Sequence, residues 1–214
     1  MPKEMAAHFD AEAQEHDQLF VQDLGLKPFY DAVESALETC RSKEKILVLG
    51  CGSGLEIERI HFPCNVVGVD LSANMLEILK GKTLAKGVQL TTVCASFLEW
   101  DFGANEYDIV LSCYAMHHFQ HEQKERIYRK VYACLKADGT FLNGDLIAPN
   151  VQAERDGMQQ ALAVYEQQNK PFGSLHVDVP FCWQHEKQVL KQAGFGDVAL
   201  LQQWTNTKLY RCVK

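Results

Sequence analysis

Three glycines at alternate positions follow an apolar run near residue 50. Residues 46–49 are Ile-Leu-Val-Leu, and Gly50, Gly52 and Gly54 come directly after them. A short, fully apolar run of this kind is typical of a buried parallel strand. Glycines that follow such a strand let the backbone adopt positive φ angles and approach a ligand closely. The pattern therefore predicts a ligand-binding turn between a strand and a helix.

An acidic residue ends the next apolar run. Val66, Val67 and Val69 lead to Asp70, twenty residues after Gly50. In open α/β sheets a carboxylate at this place accepts hydrogen bonds from the hydroxyl groups of a nucleotide ribose. The two runs together predict a ligand that carries a ribose.

The spacing of the glycines separates two kinds of nucleotide site. A dinucleotide site has the pattern G-x-G-x-x-G, in which a helix N-terminus faces the pyrophosphate. Here Leu55 stands where the third glycine of that pattern is required. The loop, and the segment from Val69 to Ser72, resemble the first two motifs of the class I S-adenosylmethionine-dependent methyltransferases. The resemblance implies S-adenosyl-L-methionine as cofactor. Two alternatives stay open, namely another doubly wound domain with a glycine-rich first turn and a pyridine-nucleotide oxidoreductase.

Composition limits the class of protein. The 214 residues are 47% hydrophobic and 23% charged, as expected for one globular domain with a full core. The net charge is −7 and lysines and arginines form no run, which disfavours a polynucleotide substrate. No apolar run is long enough to span a membrane, and the first residues lack the apolar core of a signal peptide, so we expect a cytoplasmic protein. Eight cysteines without a C-x-x-C pair predict free thiols and no zinc site.

Strand and helix signals alternate through most of the chain. Helical segments are predicted at 54–61, 73–82 and 121–136, and strands at 45–50, 65–70, 89–94, 107–112 and 140–145. This alternation indicates a parallel sheet covered on both faces. A last helix is predicted at 182–193. Only three residues separate the final strands, 197–204 and 208–213, which must therefore be antiparallel neighbours. The sequence predicts an α/β fold with a Rossmann-like seven-stranded, mostly parallel doubly wound sheet and an antiparallel C-terminal hairpin, which is similar to the methyltransferase sheet.

One methyltransferase domain is expected over residues 1–214, with an N-terminal helical cover at 1–42 and a substrate-side lid at 146–182. Apolar residues between Phe29 and Cys40 fall on one face of a helix. The segment before them resembles the family's leading helix, with His16 where an aromatic residue is usual. Residues 152–169 predict a polar helix, and a loop rich in proline and glycine follows it. We expect 150–180 to form a mobile lid, whose His176 and the following Trp183 shape the acceptor site together with Tyr114.

The segment Tyr107–Phe119 resembles the family's fourth strand and the loop after it, where the sulfonium of the cofactor meets the acceptor. The resemblance implies that Tyr114, His117 and His118 are catalytic residues. Asp145, at the end of the fifth strand, is expected in the same crevice, where it positions an acceptor or caps the next segment. The two histidines and His121 could suggest a metal, but no carboxylate or cysteine stands at ligand spacing in the sequence, so no metal is expected.

The end of the third strand departs from the family pattern. Many members carry an acidic residue there that accepts from the adenine amino group, and the matching position here is Ser96. Adenine recognition is then expected from the Ser96 hydroxyl, from the Phe97 backbone or from apolar contacts. The full cofactor-binding set implied by the resemblance comprises Gly50, Cys51, Gly52, Gly54, Asp70, Leu71, Met75, Ser96, Phe97, Ser112 and Cys113.

These features predict methyl transfer from S-adenosylmethionine to a small-molecule acceptor. The Asn-Pro-Pro-Tyr type motif of nucleic-acid amino-methylating enzymes is absent, and the chain is acidic. The expected partner is a small molecule, with no nucleic acid or membrane, in a monomer or homodimer. Two alternatives stay open: methylation of RNA or protein, and a non-catalytic S-adenosylmethionine-binding protein. No nucleophile–base pair is required, because alignment and desolvation can drive an in-line displacement on an activated donor.

Overall fold

Seven strands form one sheet, and the apolar runs of the sequence make up its centre. The computed structural model describes residues 3–40 and 45–214. The strands are β1 (Lys45–Leu49), β2 (Cys64–Asp70), β3 (Val88–Cys94), β4 (Tyr107–Cys113), β5 (Leu135–Leu146), β6 (Asp197–Gln203) and β7 (Thr207–Val213). Their order is β3-β2-β1-β4-β5-β7-β6. The first five strands pair in parallel, and β7 is antiparallel to both β5 and β6. The predicted fold, including the C-terminal hairpin, is confirmed.

Helices cover the sheet and its carboxyl edge. They are α1 (Lys3–Glu12), α2 (His16–Gln18), α3 (Lys27–Glu38), α4 (Ala73–Gly81), α5 (His121–Cys134), α6 (Val151–Gln167) and α7 (Trp183–Ala193). A π-helical segment, Leu19–Asp23, joins α2 to α3, and single 3-10 turns occupy Ile57–Arg59 and Met116–His118. The predicted end of the N-terminal cover, at residue 42, lies outside the described residues. Among the described helices, none combines the length and the apolar character that crossing a membrane requires.

The helix predicted at 54–61 is wrong. That stretch contains only the 3-10 turn Ile57–Arg59. Gly54 has a φ of +88°, which keeps the chain out of the helical region, and β2 already begins at Cys64. Ile57 and Ile60 are fully buried, so one turn is enough to return the chain to the sheet with its apolar side chains covered.

Alternate residues of the central strands supply two separate cores. In β1, Leu47 and Leu49 pack with the cluster under α5 and α7, whereas Ile46 and Val48 pack with α3 and α4 on the other face. A strand whose side chains alternate between two covered faces must be apolar at every position. This explains the unbroken apolar runs and leaves the carboxyl edge of the sheet as the natural place for polar ligand contacts.

Candidate active site

A cavity of about 500 Å³ lies at the carboxyl edge of the sheet. The glycine loop after β1 forms one wall, and the N-terminal helices and the loop after α6 close over it. The predicted residues that line the cavity are Gly50, Cys51, Gly52, Asp70, Leu71, Met75, Phe97, Cys113, Tyr114, His117 and His118. Residues from distant parts of the sequence thus share one chamber.

The first two glycines of the loop face this cavity. Gly50 has a φ of +70°, and a Cβ there would lie 2.6 Å from the Cβ of Ala115. Gly52 has a φ of +45°, and a Cβ there would meet no atom closer than 3.7 Å, the nearest belonging to the His16 ring. A side chain at Gly52 would therefore fill space that the cavity keeps open.

Asp70 receives hydrogen bonds from the backbone around it. Its Oδ2 accepts from Gly52 N–H at 2.8 Å, and its Oδ1 accepts from Ser72 N–H at 2.9 Å. Burial raises the pKa of Asp70, while these backbone donors oppose the rise. Each oxygen keeps a further lone pair that can accept from a ligand hydroxyl group.

Glu56 is a cavity residue that the sequence analysis missed. Its side chain is buried, and its Oε1 has no hydrogen-bond partner. Burial raises the pKa of Glu56 to about 8, so the carboxyl group is protonated at neutral pH. Its place two residues after Gly54 is the only signal that could have drawn attention to it.

The N-terminal helices contribute an apolar and aromatic wall. His16 Nδ1 lies within hydrogen-bond distance, 3.0 Å, of Ser53 Oγ. The His16 ring stacks on Phe20, with ring centroids 4.3 Å apart. Asp10 of α1 binds Ser72 Oγ at 2.5 Å and thereby fastens the cover to the start of α4. The other wall residues from this region, Met5, Phe9, Glu12, Leu19, Leu24, Leu26 and Tyr30, were not singled out from the sequence.

His117 and Asp145 form a buried pair at the end of the cavity that the loop after β4 lines. His117 Nδ1 lies 2.5 Å from Asp145 Oδ1, which also accepts from Leu146 N–H at 2.8 Å. Burial lowers the pKa of His117, but the charges and hydrogen bonds of Asp145 and Asp178 outweigh it and raise the pKa to about 9. Burial would raise the pKa of Asp145, but the charge and hydrogen bond of His117 outweigh burial and hold this pKa below its usual value. Asp145 is not among the residues that line the cavity, and its two expected roles, positioning an acceptor or capping the next segment, stay predictions.

Asp178 brings three histidines together at the same end of the cavity. Its Oδ1 lies 3.4 Å from His117 Nε2, 3.4 Å from His118 Nδ1 and 3.8 Å from His176 Nε2. Burial and the neighbouring His117 lower the pKa of His118 to about 4. Burial would raise the pKa of Asp178, but the imidazoles hold it well below its usual range. Asp178 is therefore a carboxylate that the spacing of the histidines could not reveal, because it is remote from them in the sequence but adjacent in space.

Four residues expected at the site have other roles. Ser112 Oγ donates to Leu49 O at 3.0 Å and is fully buried between strands. Ser96 Oγ accepts from Leu98 N–H at 3.3 Å. Gly54 leaves room for the Leu79 side chain, because a Cβ at residue 54 would lie 2.3 Å from Leu79 Cδ1. Trp183 packs on Tyr210 in the core, with ring centroids 5.2 Å apart. None of the four is among the residues that line the cavity.

Comparison with known proteins agrees with this geometry. The methyltransferase-domain family matches residues 46–139, which span the glycine loop, Asp70 and the histidine pair. The carboxy-S-adenosyl-L-methionine synthase of Nautilia profundicola is 24% identical over 95% of this chain and 89% of its own length. The structure of the DhpI–SAH complex aligns with a TM-score of 0.73 at 16% identity, covering 98% of this chain and 95% of the other. Human N-acetylserotonin methyltransferase in complex with SAM aligns with a TM-score of 0.68 at 12% identity, and the alignment covers 98% of this chain but 56% of that one. The structural likenesses concern the fold, whereas the family match covers the motif residues themselves. Residues 46–139 therefore carry a methyltransferase domain, and the relatives and structural neighbours support a class I S-adenosylmethionine-dependent methyltransferase.

Proposed function

We propose that this enzyme transfers a methyl group from S-adenosylmethionine to a small, neutral or cationic acceptor. One observation carries the proposal: a single cavity is lined both by the cofactor motif, with Gly52 and Asp70, and by the histidine cluster around His117. The first group is suited to the cofactor and the second to the molecule that accepts the methyl group.

The residues present fit the cofactor of the family. A Cβ at Gly52 would enter open space in the cavity. Asp70, whose oxygens each keep a lone pair for a ligand, lines the same cavity. Apolar side chains of Leu71, Met75 and Phe97 complete the wall and exclude water from it. When bound, S-adenosylmethionine would supply a methyl group on a sulfonium: the acceptor's lone pair would form the bond to the methyl carbon, and the carbon–sulfur bond would break to leave an uncharged thioether.

Size argues for a small acceptor. Pockets for small molecules and cofactors occupy roughly 300–1,000 Å³. The cavity, at about 500 Å³, is within that range. The chain is also acidic, with a net charge of −7. These features support a small-molecule acceptor over RNA, for which clustered cations are needed.

Charge argues for a neutral or cationic acceptor when only the side chains that line the cavity are counted. Among the described residues that line the cavity, none is lysine or arginine, while Glu12, Asp70 and Asp178 supply carboxylates. The cationic His117 is already paired with Asp145 and lies near Asp178. A buried anion needs a charged or hydrogen-bonding partner, and its burial is costly without one.

The similarity to carboxy-S-adenosyl-L-methionine synthases supplies a second candidate. It extends over nearly the whole chain, so production of a carboxylated cofactor deserves a direct test. The absence of lysine and arginine from the described cavity lining counts against it, because the added carboxylate would lack a strong cationic partner. Mass spectrometry of the reaction mixture distinguishes the two activities, because methyl transfer adds mass to the acceptor whereas carboxylation adds mass to the cofactor.

The cofactor assignment is tested by calorimetry with S-adenosylhomocysteine. Asp70→Ala should weaken binding by about 1.5–3 kcal/mol, the range for a hydrogen bond to a charged group. Gly52→Val should nearly abolish binding by filling the cavity. The matched control is Gly87→Val, which also places a side chain at a positive φ, +94°, but lies just before β3 and does not line the cavity. Unchanged affinity in folded Asp70→Ala and Gly52→Val would exclude this binding site.

The acceptor class is tested with isotope-labelled S-adenosylmethionine and three matched sets of small molecules. Neutral and cationic hydroxyl, thiol and amine compounds should include label acceptors, and their carboxylate analogues should not. Preferential labelling of the carboxylates would contradict the charge argument, and labelling of RNA alone would contradict the proposal as a whole.

A further inference from the structure

We propose that His117, His118 and Asp178 bind a divalent metal ion, with Zn²⁺ the best fit, at the acceptor end of the cavity. Their ligand atoms lie within 4.8 Å of one another. Asp178 Oδ1 is 3.4 Å from His117 Nε2 and 3.4 Å from His118 Nδ1. A tetrahedral ion at about 2.0–2.1 Å from each ligand sets neighbouring ligand atoms about 3.4 Å apart. The two measured distances match that spacing.

An unpartnered nitrogen points to a missing ligand. His118 Nδ1 is buried and makes no hydrogen bond, although it lies near Asp178. Its side chain is only 8% exposed, so bulk water does not readily satisfy the nitrogen. Buried polar atoms are nearly always satisfied, and an ion is one of the groups that accounts for an exception.

The surroundings of His117 match those of a metal-bound histidine. Its Nδ1 is held at 2.5 Å by Asp145, which leaves Nε2 directed to Asp178. Histidines that bind metals commonly donate their second ring N–H to a carboxylate, which fixes the ring orientation and the tautomer. Asp145 is thus a positioning residue in this arrangement.

Two imidazoles and one carboxylate suit Zn²⁺ and leave a fourth position free. Catalytic zinc sites have three protein ligands and an exchangeable position, whereas structural sites are closed by four. An octahedral ion would set adjacent ligands closer, at about 3.0 Å, so the 3.4 Å spacing favours the tetrahedral ion. His176, whose Nε2 is 3.8 Å from Asp178 Oδ1, stands beside the free position.

The role of the ion rests on the proposed function, whereas its binding does not. At the free position the ion would bind the oxygen of an acceptor hydroxyl group or the sulfur of an acceptor thiol, and it would stabilise the deprotonated form of that group. The released proton goes to solvent, and the acceptor keeps the lone pair that forms the bond to the methyl carbon.

A second group of possible ligands is explained without a metal. Glu154 accepts from Cys182 N–H at 2.7 Å, and His185 Nδ1 lies 2.8 Å and 2.9 Å from its two oxygens. These contacts join α6 to the start of α7, and no buried oxygen or nitrogen of Glu154 or His185 lacks a hydrogen-bond partner. His185 therefore provides a matched control.

The test measures metal binding directly on tag-free protein that has been stripped with a chelator. Zn²⁺ is titrated in competition with a chromophoric chelator, and Co²⁺ by its visible absorption. One ion per chain should bind, with a tetrahedral Co²⁺ spectrum. Asp178→Ala and His118→Ala should lower the affinity at least tenfold, and Asp145→Asn about 10–100-fold. His185→Ala should bind as tightly as the parent protein.

S-adenosylhomocysteine binding is measured on the same samples to separate this inference from the proposed function. Metal binding without S-adenosylhomocysteine binding would support the metal site and contradict the methyltransferase proposal. S-adenosylhomocysteine binding without metal binding would overturn the metal site alone. Unchanged metal affinity in Asp178→Ala, or its loss in His185→Ala, would also overturn it. Asp178 is 46% exposed, so its variant is expected to fold even where His118→Ala does not.

Discussion

Glu56 shows how a single buried group links the cavity to the stability of the fold. Its carboxyl group is 4% exposed and lies near the carboxylate of Asp70. Desolvation is the main reason that its pKa rises from 4.5 to about 8. The protein thus keeps one neutral acid in the wall of a site that also contains an ionisable aspartate.

The raised pKa of Glu56 should make the free energy of unfolding depend on pH. Between pH 4.5 and about 8 the folded state keeps the Glu56 proton and the unfolded state loses it. The unfolded state then binds fewer protons, so the free energy of unfolding falls as the pH rises. Glu56 alone should contribute a fall of about 3–5 kcal/mol over this range. Urea unfolding at a series of pH values measures it.

Glu56→Gln is the comparison that isolates this group. The variant should lack this part of the pH dependence and should be more stable than the parent protein above pH 8, because no proton has to be lost in the buried site. The same pH slope in both proteins would show that Glu56 ionises as readily when folded as when unfolded.

At the scale of elements, α6 buries few of its side chains against the rest of the molecule. Only Ala161 and Tyr165 of α6 are buried. Tyr165 donates to Leu175 O at 2.8 Å and packs on Phe172 at 4.6 Å, so much of the packing is within the segment itself. The loop nevertheless places His176 and Asp178 at the cavity.

We predict that residues 150–180 act as a lid. Segments that open and close over sites are drawn from the least stable parts of a fold. Amide hydrogen exchange in this segment should be fast in the free protein and slow when S-adenosylhomocysteine and an acceptor are both bound. Helix α5, which has five buried residues, is the internal reference and should exchange slowly in both states. Slow exchange throughout 150–180 in the free protein would identify a fixed wall.

At the scale of the whole molecule, a buried polar network joins α5, α7 and β7. Lys124 Nζ donates to Glu186 Oε2 at 3.0 Å, and both side chains are 1% exposed. The hydroxyl groups of Tyr128 and Tyr210 both donate to Glu186 Oε1. The carboxylate of Glu186 therefore accepts from three donors on two elements, α5 and β7, and it is neutralised only when both elements are in place.

Removal of the lysine should be strongly destabilising. Lys124→Met leaves Glu186 as a buried charge without its cation, which typically costs about 3–5 kcal/mol. The double variant with Glu186→Gln should recover part of this loss, because the unpaired charge is removed. The control is Lys27→Met, which breaks an exposed pair with Asp31 and should cost less than about 1 kcal/mol. Equal losses for Lys124→Met and Lys27→Met in urea unfolding would show that burial of the network does not matter.

Local sequence patterns determined the sheet and the position of the cofactor loop. Each central strand appears as an apolar run because both of its faces are covered, and the hairpin follows from the three residues between β6 and β7. The glycine spacing and Asp70 indicate the methyltransferase family from the sequence alone. These features depend on neighbouring residues, so their periodicity and spacing are visible in the sequence.

Only the tertiary structure decided which side chains face the cavity. Ser112 and Ser96 occupy the expected strand ends but turn to backbone partners, and the 54–61 helix gives way to one turn between two strands. Asp178 reaches His117 and His118 across 60 residues of chain because the loop after α6 folds back over the sheet edge. Such a contact depends on the path of a segment with few apolar anchors, and local spacing carries no information about that path.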